Sequence, residues 1–103
     1  MNKKQQDELL EKIQDGDKEA KKELLNFMSF YIAKVALKYQ NETRLSIEKL
    51  KEAGLQGAEQ AINNWPLRKE RQYRFSVHAL WFIRQAIGVL LSLWRETSLQ
   101  SVF

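Results

Sequence analysis

Cysteine is absent from this 103-residue chain, and proline occurs once and glycine four times. Without cysteine there is no disulfide staple and no thiolate zinc site. The single histidine, His78, cannot form a histidine metal site by itself, so no metal and no other cofactor is expected. Few turn residues argue against a many-stranded β-sandwich. A long uninterrupted apolar run is also missing. Residues 77–94 come nearest, but His78, Arg84, Gln85 and Ser92 break them, which makes a poor bilayer span. The first eight residues are mostly polar and open into no apolar signal segment. The expectation is a cytoplasmic protein with no membrane partner.

Catalytic signatures are missing as well. The chain has no Gly-x-Ser-x-Gly elbow and no phosphate-binding Gly-rich loop. Its acidic residues alternate with lysines, as in Glu19, Lys22 and Glu23, which is the pattern of a solvated helix face. His78 has no acid or nucleophile near it in sequence. No catalytic residue is assigned and no enzymatic activity is expected.

What the chain does have is helical periodicity and an uneven charge distribution. Residues 1–52 hold eleven Lys/Arg against ten Asp/Glu, and residues 53–103 hold six against three. The basic residues of the first half are nearly all lysine and those of the second nearly all arginine. Arg68, Lys69, Arg71 and Arg74 fall in residues 66–75 with only Glu70 against them. Arginine's planar fork fits phosphate and stacks on rings. A solvated basic loop is the plain alternative.

The spacing predicts about four helices in a compact all-α bundle. Leu9, Leu10 and Ile13 mark a first helix that stops at Asp15-Gly16. Asp17 is the expected N-cap of the second, whose stripe includes Leu24, Met28, Ile32, Val35 and Tyr39. That helix is expected to break within residues 40–43. Ser46 caps the third, with Leu45 and Leu50 at the two positions of a hydrophobic staple, and Pro66 ends it after about Trp65. Gly54, Gly57, Ala58 and Ala61 share one side of it. Each mid-helix glycine costs about 1 kcal/mol against alanine. Such a stripe allows either close helix packing or a flat docking face. Ser76 is the expected cap of a fourth helix to about Trp94, with Phe75 and Leu80 as its staple. A domain over residues 1–95 and a tail over residues 96–103 follow from this pattern.

The most informative stretch is residues 73–87. It puts four aromatic rings, a histidine, two arginines and a glutamine into fifteen positions. Rings beside cations are what holds unstacked bases next to a phosphate backbone. A core helix with a basic entrance would also read this way.

Here the sequence resembles region 2 of bacterial RNA polymerase sigma factors. The family pattern is Tyr-Lys-Phe-Ser-Thr-Tyr-Ala-x-Trp-Trp-Ile-Arg-Gln-Ala-Ile. Tyr73, Phe75, Ser76, Ala79, Trp81, Ile83, Arg84, Gln85, Ala86 and Ile87 stand at the matching places. Gly16 to Ala20 followed by a leucine pair is similar to the opening of many alternative sigma factors. The segment from Ile32 to Tyr39 resembles the first conserved helix of region 2. Leu50, Gly54, Gly57, Ala61 and Ile62 resemble the next.

The resemblance implies an all-helical domain that grips the clamp helices of the polymerase largest subunit and reads and melts the promoter −10 element. By it, Tyr73, Phe75, His78, Trp81 and Phe82 form the base-capturing surface. Arg74 and Arg84 hold phosphates together with Arg68, Lys69 and Arg71, and Gln85 reads a base edge. Lys49, Glu52, Ala53, Leu55, Gln56 and Glu59 stand on the clamp-binding helix. The departures are specific. Lys49 replaces the family's Asp, Glu52 its Gln, Ala53 its Glu and Leu55 its Asn. His78 stands where the family has a Tyr, Val77 where it has Thr, and Gly88-Val89 where it has Thr-Arg. The family's −35-binding region 4 has no counterpart in these 103 residues. The chain is expected to be either a fragment of a longer protein or region 2 alone, with a separate region 4 or an anti-sigma protein as further candidate partners. A degenerate sigma-like regulator that binds DNA or protein without melting, and a helical interaction protein unrelated to transcription, are the alternatives.

Overall fold

The computed structural model describes the backbone of residues 1–65 and 74–101, and the side chains of residues 1–65 and 74–96. Four helices follow in chain order: α1 (Lys3–Gln14), α2 (Lys18–Gln40), α3 (Ile47–Asn63) and α4 (Phe75–Ser101). The described residues contain no strand. The expected all-α bundle is what the chain forms.

Local sequence accounts for most helix ends. Asn2 caps α1 in a reciprocal box: its side chain accepts from the Gln5 N–H at 2.8 Å, while Gln5 Oε1 accepts from the Asn2 N–H at 2.9 Å. At the other end, the Gly16 N–H reaches the Ile13 carbonyl and the Asp17 N–H the Lys12 carbonyl, both at 3.0 Å. Gly16 has φ of 90°, the left-handed conformation that this closure requires. Asp17 then caps α2 by accepting from the Ala20 N–H at 3.0 Å. Ser46 caps α3 through the Lys49 N–H at 3.3 Å, and its staple residue Leu50 is fully buried. Asn64 ends α3 one residue before Trp65, which turns back into the core.

Two expectations about the fourth helix are corrected. Ser76 is not its cap. The helix begins at Phe75, and the Arg74 carbonyl accepts the first turn's bonds from Val77 (3.1 Å) and His78 (3.5 Å). The helix also runs to Ser101 rather than ending near Trp94, because neither glycine nor proline follows Gly88.

The core forms where α3 and α4 pack together, with α2 packed against α3 and α1 against α2. On α4 the buried apolar residues are Phe75, Ala79, Ile83, Ile87 and Leu91, one every four positions. They form a single ridge of the kind that packs into the groove of a facing helix. Gly54, Gly57, Ala58 and Ala61 of α3 make that groove and are all buried. A Cβ placed on Gly57 would sit 2.6 Å from the Phe82 carbonyl oxygen and 3.0 Å from Ile83 Cα. Of the two readings of this small-residue stripe, close helix packing is the one the structure shows.

Residues 75–96 are long and apolar enough, with mean hydropathy 1.4, to cross a bilayer by length and composition. In the fold the ridge of this helix is core instead, and Arg84 and Gln85 stand exposed at its middle.

Candidate nucleic-acid interface

Helix α4 has more apolar surface than one neighbouring helix can cover. Its ridge is consumed by α3. On the opposite side Val77, Trp81, Val89 and Leu93 are each more than half exposed. These positions recur at helical spacing along about four turns. Trp81, Arg84, Gln85, Gly88, Val89, Ser92 and Leu93 line one shallow concavity of about 510 Å³ on this face. Exposed apolar surface beside polar groups is the usual signature of a binding face.

The rings are arranged as a ladder from core to surface. Trp65 is buried and meets Phe75 edge-on at 5.5 Å and His78 at 4.9 Å. His78 stands 4.8 Å from Phe82, and Phe82 stands 5.0 Å from Trp81. Edge-to-face and tilted contacts at these separations hold rings in defined orientations. Trp81 terminates the ladder with 58% of its surface exposed. A ring held from behind and open in front is suited to stacking on a base.

The structure thus brings together Trp81, Phe82, Arg84, Gln85 and His78, with exposed Arg74 at the start of the same helix. It does not bring Phe75 to that surface: Phe75 is fully buried and braces Trp65. Tyr73, Arg68, Lys69 and Arg71 lie outside the described residues. On α3, Lys49, Glu52, Leu55 and Gln56 are exposed, and Ala53 and Glu59 are half-buried. Lys49, Glu52, Gln56 and Glu59 share one outward side of that helix by their spacing.

Several neighbours of this surface were not picked out from the sequence. Lys34 and Lys38 of α2 join Arg84 around a groove of about 300 Å³, with Tyr31, Val35 and Leu80 as its apolar lining. None of these three cations is in an ion pair among the described residues. The i, i+4 spacing of the two lysines placed them on one side, but only the fold shows Arg84 facing them. Trp65, the support of His78, was equally hidden, since its role depends on where α4 returns. No group of three or more metal-ligating side chains exists among the described residues.

Comparison with known proteins bears on this arrangement. The chain is 30% identical over 80 residues to the RNA polymerase sigma factor SigA of Clostridium acetobutylicum, a match covering 78% of this chain and 20% of that protein. It is 36% identical over 80 residues to the RNA polymerase sigma-C factor of Nostoc sp. (strain PCC 7120), covering 78% of this chain and 18% of that protein. This is a sigma-factor-like domain. It spans about a fifth of the length of these curated relatives, which fits a region 2-like piece. No protein-family profile matches the chain, and no solved structure does. In the sigma-factor-like domain the Ile83-to-Ile87 segment divides its labour: Ile83 and Ile87 are buried, and Arg84 and Gln85 are exposed.

Proposed function

We propose that this domain supports transcription initiation in the cytoplasm by binding core RNA polymerase through the outer side of α3 and the promoter −10 element through the outer side of α4. The observation that carries the proposal is Trp81. It is exposed, buttressed by Phe82, and shares its concavity with Arg84 and Gln85. A base leaving the duplex would stack on the Trp81 ring. Base–aromatic stacking contributes about 1–3 kcal/mol per base, enough to offset part of the lost pairing. Arg84, Arg74, Lys34 and Lys38 would take the backbone phosphates, and Gln85 would hydrogen-bond a base edge through its amide. The basic residues at positions 68, 69 and 71 would add phosphate contacts. Tyr73 would add a ring beside His78. On α3, Lys49, Glu52, Ala53, Leu55, Gln56 and Glu59 would meet the clamp helices of the polymerase largest subunit. Binding of the −35 element would fall to a region 4 outside these 103 residues.

Two measurements test this. Gel shifts should show preference for a single-stranded −10 oligonucleotide over random sequence. Pull-down with core polymerase should retain the domain, with Glu52→Gln binding at least as well as the natural residue. Failure of both forms to bind polymerase would sink the initiation role.

A second reading, a sigma-like regulator that does not melt promoters, is favoured by one observation. Gly88 and Val89 lie on the exposed face where the resemblance places a polar contact and a phosphate clamp. Sequence-independent binding in the gel shift, unchanged by Trp81→Ala, would favour that reading.

A further inference from the structure

The start of α4 is held from a distant part of the chain. The Ser76 N–H, in the helix's first turn, donates to Gln6 Oε1 of α1 at 3.0 Å across a separation of 70 residues. Gln6 is 1% exposed, and its Nε2 donates to the Met1 carbonyl at 3.1 Å. Both ends of this buried amide are therefore satisfied. First-turn amides have no partner within their own helix and need one from elsewhere. The local sequence offers a competing solution, with Ser76 as cap and Phe75 and Leu80 as staple, which would start the helix later. The structure instead winds Phe75 and Ser76 into the helix and buries both. With Ser76 as cap, Phe75 would leave helical geometry, and Arg74 would be displaced with it. Phe75 braces Trp65, which in turn backs the His78 ring, so the ring ladder depends on the earlier start.

We propose that Gln6 is a positioning residue for the strand-binding side of α4. It holds the helix start at Phe75 and so sets where Arg74 stands and how Phe75 and Trp65 back the His78 ring. This rests on the strand-binding reading above.

The test compares Gln6→Leu, which removes the acceptor, with Gln6→Glu, which gives up the bond to the Met1 carbonyl but keeps an acceptor at the same reach and places its charge favourably at a helix N-terminus. Amide hydrogen exchange at Ser76 and Val77 is read against Ile83 and Ile87, together with affinity for a single-stranded −10 oligonucleotide. A buried N–H stripped of its acceptor opens readily, so Gln6→Leu should speed Ser76 and Val77 exchange about tenfold with Ile83 and Ile87 unchanged. The same variant should weaken strand binding about fivefold, while Gln6→Glu stays within about threefold of the natural protein in both readouts. Unchanged Ser76 exchange in Gln6→Leu, or equal weakening by both variants, overturns the proposal. Should Gln6→Leu not fold, Gln6→Glu decides: retained Ser76 protection and strand affinity support the tie, and loss of either overturns it. A natural protein without −10 preference would instead sink the strand-binding reading, leaving the exchange comparison to decide what Gln6 holds.

Discussion

Gly57 and Gly88 sit on neighbouring helices in opposite surroundings. A Cβ on Gly57 would meet the α4 backbone at 2.6 Å, whereas one on Gly88 would meet nothing within 4 Å. The first glycine is required by packing. The second costs helix stability and returns no contact inside the domain. The same contrast separates the two sides of α4. Its ridge packs closely on the small residues of α3, while its outer side leaves Trp81, Val89 and Leu93 uncovered. One side is explained by the fold, and the other calls for a partner.

Substitutions at the two glycines break this comparison most sharply. Gly57→Ala should lower stability by about 2–3 kcal/mol in chemical denaturation, because the added methyl meets backbone that cannot rotate away. A loss below about 0.5 kcal/mol would mean that α3 and α4 are less closely packed than described. Trp81→Ala should change stability by less than about 1 kcal/mol, since the ring is mostly exposed. It should nevertheless weaken single-stranded −10 binding about tenfold, the value of one stacked base. Gly88→Ala should raise stability by about 0.5–1 kcal/mol, the ordinary helix-propensity gain, as a higher thermal midpoint would report. Val89→Arg should leave stability within about 0.5 kcal/mol. If it adds a phosphate contact, the slope of log affinity against log salt should steepen by about 0.7 per contact on a single strand.

These particulars also mark what was legible beforehand. Asp17 and Ser46 were readable as caps because an N-cap is a local device: the side chain and the amide it takes are three residues apart. Gly57 was readable as a candidate packing position because small residues at helical spacing let another helix come close, and the structure decides against the flat docking face. Ser76 misled for the same reason that the others succeeded. It has the local pattern of a cap, but a long-range acceptor on Gln6 changes the outcome. Phe75 shared that error, since its place as a staple residue depended on the later start. Among the proposed DNA contacts, the pattern grouped Trp81, Arg84 and Gln85 correctly on one helix. It could not say which rings face outward, because that depends on where α3 lies. The groove joining Lys34 and Lys38 to Arg84 likewise needs the α2–α4 contact, which no spacing encodes.

The most direct test of the central claim uses the indole N–H signals of the three tryptophans. Trp65 is buried, Trp94 half-buried and Trp81 exposed at the end of the ring ladder. On titration with a single-stranded −10 oligonucleotide, the Trp81 signal should shift and saturate while that of Trp65 stays in place, and a random strand should have a much weaker effect. A saturating complex in which the Trp81 signal does not move, or an equal response to both strands, would contradict the account.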